Sequence, residues 1–409
     1  MTFDIQFDYR FDSNDFFTDE RRAILEQAGD IWSAYIQDEF EDIPAGETLR
    51  FDIDDEPQEV TLDEPIDDVI IFVSSVDLDS NALTLGEGGF FAREVAAERV
   101  EERILGDDFE PWLGTIEFNS NAADSFYFDS TPETDEDIPA DRQDFLSLSL
   151  HEIGHILGIG ISPAFNSQID DDGAFIGANS LALNDGQPIP INEDGDHIEE
   201  GFSLDPDADA LLDLSFTFGE RNLPTDLDLA ILADIGYEIV AYDDEPVFDF
   251  YQFEKDLHFY TADVNERDVT VDKSANGELD YRLEDVGFRA LASDRDSLTG
   301  ETIEGVSPVY RFFDTQSGEH SFTIDEAERD NIRANLGDRV FEGIAYYAFE
   351  SPPEDINTIP LYQGLNSATG SFIYSTDSDD LDGFDNTIGT SDFDVTADDA
   401  IAYYVIESL

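Results

Sequence analysis

The C-terminal part of the chain contains three copies of one short pattern, and this repeat limits the folds that the chain can form. The first copy is FYQFEKDLHFYTADVNERD (250–268) and the second is YRFFDTQSGEHSFTIDEAERD (310–330). A third, weaker copy begins LYQGLNSATGSFIYSTDSDD at residue 361. Each copy closes with a similar apolar segment: EDVGFRALA, FEGIAYYAF or DDAIAYYVI. One unit of this size cannot bury its own apolar face, so we expect the three copies to close on one another.

These copies predict a separate repeat domain over residues 247–409 with threefold pseudo-symmetry. We expect this domain to be all-β and β-trefoil-like, with a generic β-sandwich as the alternative. His258, His320 and Phe372 occupy matching positions, 62 and 52 residues apart. The two histidines should therefore lie far apart and share no metal. The acidic stretch AYDDEP (241–246) is predicted to be a linker that follows a first domain over residues 1–240.

The charge of the chain excludes several classes of partner. It carries 99 acidic residues against 19 basic ones, a formal net charge of −80. A surface of this sign repels nucleic acid and anionic membranes, and no apolar stretch is long enough to span a bilayer. It suits salty water, and its carboxylate-rich turns also suit structural Ca²⁺. The chain has no cysteine, which leaves His, Asp and Glu as the strong metal ligands.

The first domain is predicted to mix strands and helices. Residues 1–12 alternate apolar and polar side chains, as a half-buried strand does. A helix capped by Thr18 follows, and then two strands, DDVIIFVSSV and GTIEFN. The segment FLSLSLHEIGHIL should form a helix between a cap at Asp144 and a stop at Gly158. A last helix is expected within LPTDLDLAILADIGYEI. We therefore predict an α+β chain, in which a twisted sheet with this central helix precedes the all-β repeats.

The pattern HEIGH in that helix predicts a zinc site. His151 and His155 are four residues apart and share one helical face. Glu152 is rotated by one residue, so that it can reach a metal-bound water more easily than the metal. Zn²⁺ lowers the pKa of bound water to about 7, which would let Glu152 take a proton from it. The alternative is a helix whose two histidines merely face a polar core.

The segment DFLSLSLHEIGHILGIG resembles the active-site helix of the metzincin zinc peptidases, in particular the leishmanolysin-like branch and its bacterial relatives. In most metzincins the third ligand ends the pattern HExxHxxGxxH, but Ile161 occupies that place here. In the leishmanolysin-like branch an insertion delays the third histidine. The resemblance thus implies His197, 39 residues after Gly158, as the third ligand. Asp196 is the competing ligand, because carboxylates also bind zinc.

The resemblance covers roughly residues 3–240 and implies a zinc metalloendopeptidase that acts on protein or peptide substrates. It implies that GTIEFN is the edge strand that binds the substrate backbone. Leu212 stands where the family has the methionine of its Met-turn, and Met1 is the one methionine of the chain. The N-terminus has no basic region followed by an apolar one, so we expect no signal peptide there. The family's habit implies secretion by a route that does not depend on one.

The repeat domain resembles a module with HFYT, ERD and EGxAFYA signatures at the C-termini of bacterial secreted and surface hydrolases. This implies an accessory role, with a cell-surface or carbohydrate ligand as an expected partner. The aromatic residues of the repeats could line sugar pockets or form the core. A different function class remains open on the sequence alone. The chain would then be an adhesion or carbohydrate-binding protein with a degenerate peptidase domain.

Overall fold

The computed structural model divides the chain into two compact units, Met1–Ala241 and Tyr242–Ser408. Helices and strands occur in both units, so the fold is mixed α/β. The structure describes residues 3–38, 40–53, 56–76, 86–90, 100, 103–105, 109–129, 138–204, 209–213, 218–255, 257–353, 356–366, 371–378 and 401–406.

The first unit is built on a four-stranded sheet with the order β1-β4-β6-β5. Its strands are β1 (Ile5–Phe11), β4 (Val69–Val76), β5 (Gly86–Phe90) and β6 (Leu113–Asn119). Strands β1, β4 and β6 run parallel, and β5 is antiparallel to β6. The prediction that GTIEFN forms the edge strand is therefore wrong. It lies within β6, between β4 and β5, where its side chains are mostly buried, and β5 is the edge of the described sheet.

Two long helices pack together in this unit, α1 (Asp19–Ser33) and α2 (Phe145–Ile156). The predicted caps are confirmed: Thr18 accepts a hydrogen bond from Arg21 N, and Asp144 accepts one from Ser147 N. Every residue of α2 is buried. Gly114 of β6 allows this helix to approach closely, because a Cβ at that position would lie 2.5 Å from Ile156 Cγ2.

Shorter elements complete the first unit. A hairpin joins β2 (Thr48–Ile53) to β3 (Glu56–Thr61), and two-residue strands pair as β7 (Phe126–Tyr127) with β8 (Gln143–Asp144) and β9 (Ala174–Phe175) with β10 (Ile189–Pro190). A 3₁₀ helix spans Ser120–Ser125. The remaining helices are α3 (Pro163–Asn166), α4 (Ala178–Leu183) and α5 (Asp226–Asp234).

The second unit repeats a hairpin, a helix and a long closing strand. The first copy consists of β11 (Asp244–Gln252), β12 (Leu257–Thr261), α6 (Val264–Ala275) and β13 (Tyr281–Leu291). The second consists of β14 (Val306–Asp314), β15 (His320–Thr323), α7 (Glu326–Asn335) and β16 (Arg339–Phe349). The third contains β17 (Thr358–Asn366), β18 (Ser371–Ser375) and β19 (Ile401–Ile406).

The three copies meet as the repeat pattern predicts. Each pair of closing strands is hydrogen-bonded: β13 with β16, β13 with β19, and β16 with β19. The hairpins place His258, His320 and Phe372 in the same register, opposite Tyr251, Phe313 and Leu365. Matched positions also build the core, with layers formed by Tyr260, Phe322 and Tyr374, by Phe288, Tyr346 and Tyr403, and by Val247, Val309 and Leu361.

Two predictions about this unit are wrong. The repeats are not all-β, because two of them contain a helix, α6 or α7. Asp263 and Asp325 cap these helices by accepting hydrogen bonds from the backbone N–H groups that follow them. The described residues do not confirm a β-trefoil. The predicted linker 241–246 also contains structure: β11 begins at Asp244, which pairs with Leu291 at the end of the antiparallel strand β13. The acidic composition of the stretch suggested a solvent-exposed linker. In the strand, Asp244 forms an ion pair with Arg289.

Candidate metal centre

Three histidines of the first unit converge on one point. His151 and His155 lie on α2, and His197 arrives from the loop between β10 and the bridge at Ile198. Their Nε2 atoms lie 3.1 Å apart in each of the three pairs. Within the described part of the chain, this is the one cluster of three or more His, Asp or Glu side chains arranged to hold a metal ion.

The triangle has the size that zinc requires. A triangle with 3.1 Å sides has its corners about 1.8 Å from its centre (3.1 Å divided by √3). Zn–N bonds are about 2.0–2.1 Å long. The three nitrogens are therefore spaced closely enough to hold one zinc ion together. Three imidazoles also match the ligand number of catalytic zinc sites, which keep a fourth position open.

The second nitrogen of each ring fixes the direction of the first. His151 Nδ1 lies 2.8 Å from the Leu211 carbonyl oxygen, and His155 Nδ1 lies 2.9 Å from that of Ile159. His197 Nδ1 lies 2.8 Å from Asp196 Oδ1. Since all three partners are acceptors, each Nδ1 carries the proton and each Nε2 turns a lone pair inward. Three lone pairs at this distance repel one another unless a cation lies between them.

Burial keeps the helical histidines neutral. The pKa of His151 lies well below its usual 6.5, because burial disfavours the charged ring and the neighbouring histidines add to the effect. The same causes lower the pKa of His155 to about 4. Metal binding requires neutral imidazole, so both rings are ready to bind a cation at neutral pH.

The loop that carries His197 has its own hydrogen-bond network. Asn192 Oδ1 accepts the N–H groups of Gly195 at 2.8 Å, Asp196 at 3.1 Å and His197 at 3.3 Å. Asn192 Nδ2 donates to Asp196 Oδ1 at 2.9 Å. Burial would raise the pKa of Asp196, but the hydrogen bonds from His197 and Asn192 outweigh it and lower that pKa. Asp196, the competing ligand in the sequence, thus faces the far side of the His197 ring.

Glycines after the helix give this loop its space. Gly158 has a φ of +111° where α2 stops, as predicted, and Gly160 has a φ of +80°. A Cβ at Gly160 would lie 1.9 Å from the carbonyl oxygen of Asp196. Ile161, which occupies the usual place of the third histidine, has its Cδ1 4.0 Å from where a Cβ of Gly89 in β5 would stand.

Asp228, a buried residue of α5, holds the turn that contains Leu211 and Leu212 and packs against α2. Its carboxylate accepts the N–H groups of Leu211 and Leu212, both at 3.1 Å. The Leu211 carbonyl and the Leu212 N–H belong to one peptide group, so Asp228 fixes the oxygen that binds His151. Leu212 is fully buried, and its Cδ2 lies 2.9 Å from where a Cβ of Gly154 would stand. Leucine therefore fills the space below the helix in which the resemblance placed a methionine.

Of the other predicted residues, Glu152 lies on the helix that carries the cluster, whereas His258 and His320 lie in the second unit. Glu152 follows His151 on α2 and is 6% exposed. His258 pairs instead with Asp249, with His258 Nδ1 2.9 Å from Asp249 Oδ1, and His320 Nε2 lies 3.2 Å from Glu342 Oε2.

Calcium binding stays a prediction. In the DDDG turn, Asp170 Oδ1 accepts backbone N–H groups from Asp172 and Ala174.

Three residues that shape this centre were missed in the sequence: Asn192, Gly160 and Asp228. The first two had a visible signal. Asn192 begins the turn NEDGDH, and asparagine often organises such turns through its side chain. Gly160 lies in the run GIG directly after a helix stop. Asp228 had no signal, because an acidic residue in the first helical turn is ordinarily explained by capping.

Comparisons with known proteins concern the second unit alone. A family model described as a domain of unknown function, DUF5648, matches residues 246–405, so this part of the chain is similar to that family. No curated protein matches the chain. No peptidase family is among the matches either. Within the described residues, no helix combines the length and the apolar character that crossing a membrane would need.

Proposed function

We propose that the first unit is a zinc-dependent metalloendopeptidase and that the second is an accessory binding module. The observation that carries the proposal is the triangle of Nε2 atoms with 3.1 Å sides, each ring held by an acceptor at Nδ1. Holding three lone pairs together has a cost in repulsion. A cation bound by the three nitrogens offsets this cost.

Each residue of the centre has a role in this proposal. When bound, zinc supplies a Lewis acid that polarises a carbonyl group and lowers the pKa of water. His151, His155 and His197 would hold the ion through their Nε2 atoms. Glu152, the residue after His151, accepts a proton from water and returns it to the leaving amine as the peptide bond breaks. The net change is the addition of one water molecule across that bond.

The protein is proposed to act outside the cell. A surface with a net charge of −80 stays soluble in salty water, and the resemblance to secreted peptidases also supports export. The second unit would then bind a cell-surface or carbohydrate ligand. The competing function is adhesion or carbohydrate binding with a degenerate first unit, and it makes no use of Glu152.

The experiment compares wild type with Glu152→Gln, using an unfolded protein as substrate. Glu200→Gln, which changes an exposed carboxylate of the same unit, is the matched control. We expect Glu152→Gln to keep wild-type zinc content and to lose at least 100-fold in hydrolysis, since it removes the base without touching a ligand. The control should retain both properties. Zinc-independent cleavage, or equal cleavage by Glu152→Gln, would reject the proposed zinc mechanism, and no cleavage by the zinc-loaded wild type would favour the adhesion protein.

A further inference from the structure

The third ligand comes from a loop that is separate from the helix, so something must hold that loop in place. The first two ligands are fixed to each other by α2, whose residues are all buried. His197 has no such support, because it lies in the turn 192–197 and its side chain is 16% exposed. A ligand on a free loop would lose orientational freedom on binding, and this loss would weaken the site.

Asn192 makes contacts that remove this freedom. Its backbone N–H donates to the carbonyl oxygen of His197 at 2.9 Å, and its carbonyl oxygen accepts from Gly195 N at 3.1 Å. Its side-chain oxygen accepts the three N–H groups that lead to His197. One residue, Asn192, thus makes all of these hydrogen bonds within the turn 192–197. The turn is therefore held by contacts of the chain itself.

The same side chain also orients the partner of His197. Asn192 Nδ2 and His197 Nδ1 both donate to one oxygen atom, Asp196 Oδ1, at 2.9 and 2.8 Å. These two donors hold the carboxylate against the imidazole. The result is a chain of contacts from the amide of Asn192 through Asp196 to His197, which ends at the inward-facing Nε2.

We propose that Asn192 is the positioning residue for the third metal ligand, acting through Asp196. This inference rests on the proposed zinc function, because it assigns Asn192 a role in binding that metal. Residues that orient a metal ligand from behind typically change metal affinity by 10–100-fold when mutated. We therefore expect a loss of this size when the side chain of Asn192 is removed.

The test measures zinc affinity by competition with a chelator, on full-length protein from which metal has been removed. Asn192→Ala removes all contacts of the side chain. Asn192→Asp keeps the acceptor of the three N–H groups but replaces the donor to Asp196 with a like charge. Asn184→Ala is the matched control, since Asn184 Nδ2 donates to Gln187 O at 3.0 Å in a neighbouring turn and contacts no ligand.

We expect Asn192→Ala to weaken zinc binding 10–100-fold, Asn192→Asp to weaken it less, and Asn184→Ala to leave it within twofold of wild type. The absorption spectrum of bound Co²⁺ should change in both Asn192 variants and not in the control, which a general loss of stability would not produce. Wild-type affinity and spectrum in both Asn192 variants would overturn the positioning role alone. If the wild-type protein binds no zinc, the proposed function fails, and this inference fails with it.

Discussion

Gly160 packs against the loop of His197, the proposed third ligand, since a Cβ at position 160 would lie 1.9 Å from the carbonyl oxygen of Asp196. Gly160→Ala must therefore displace Asp196, and with it the oxygen that orients His197. We predict at least a tenfold loss of zinc affinity in chelator competition, by the same reasoning as for other groups behind a ligand.

The control for Gly160→Ala is Gly173→Ala. Gly173 has a similar φ of +84°, and nothing lies within 4 Å of a Cβ built there. Both variants should lose about 1–2 kcal/mol of stability from the left-handed backbone. Only Gly160→Ala should lose zinc affinity. An equal effect of the two substitutions on zinc would show that the contact with Asp196 does not matter.

Asp228→Asn should weaken the metal centre without touching a ligand. Burial raises the pKa of Asp228, while hydrogen bonds from Thr225, Leu211 and Leu212 oppose that rise. An amide in its place can accept the N–H group of only one of the two leucines with its single oxygen. We predict a loss of stability of about 2–3 kcal/mol and a fall in zinc affinity of about tenfold.

Asp234→Asn provides a matched control for this prediction. Asp234 lies on the same helix as Asp228 and also accepts four hydrogen bonds, here from Asn179 and Ser180 at the start of α4. Its substitution should reduce the melting temperature of the protein and leave zinc affinity unchanged. Zinc binding that responds equally to both substitutions would assign Asp228 a role in general stability alone.

Glu319 should make the second unit more stable in mild acid. Burial raises the pKa of Glu319 to about 7 from an ordinary 4.5. Between these values the folded unit holds a proton that the unfolded chain releases. The stabilisation is thus complete below pH 4.5 and is lost as the pH rises through 7, amounting to about 3 kcal/mol at most. Calorimetry at pH 5 and pH 8 should show Glu319→Gln reducing this pH dependence. The exposed Glu278→Gln should leave the pH dependence as in wild type, and an unchanged dependence in Glu319→Gln would refute the assignment.

Much of the first unit's site could be predicted because its signals are local. The spacing of His151 and His155 is a property of any helix, and the caps at Thr18 and Asp144 depend on residues within one turn. His197 could be selected because the chain has five histidines and the resemblance implied a third ligand many residues after the helix. The support given by Asp228 could not be predicted, since it joins residues 16 and 17 positions apart through backbone N–H groups.

The second unit shows a different limit. The repeat predicted which residues are equivalent, and the registers of His258, His320 and Phe372 agree with it. It did not predict the helices, because their segments are rich in acidic residues and α7 buries none of its side chains. Such a helix has few apolar residues to mark a buried face, so its evidence lies in the caps Asp263 and Asp325.

The zinc content of the purified protein tests the central claim most directly. Metal should be removed, zinc restored in excess, and the unbound ion separated before zinc per chain is measured by elemental analysis. Wild type and His258→Ala, whose histidine lies outside the cluster, should each retain one zinc ion per chain. His197→Ala should retain far less, because two nitrogens of the triangle remain. A wild-type protein without zinc, or a His197→Ala variant that retains as much as wild type, would contradict the account.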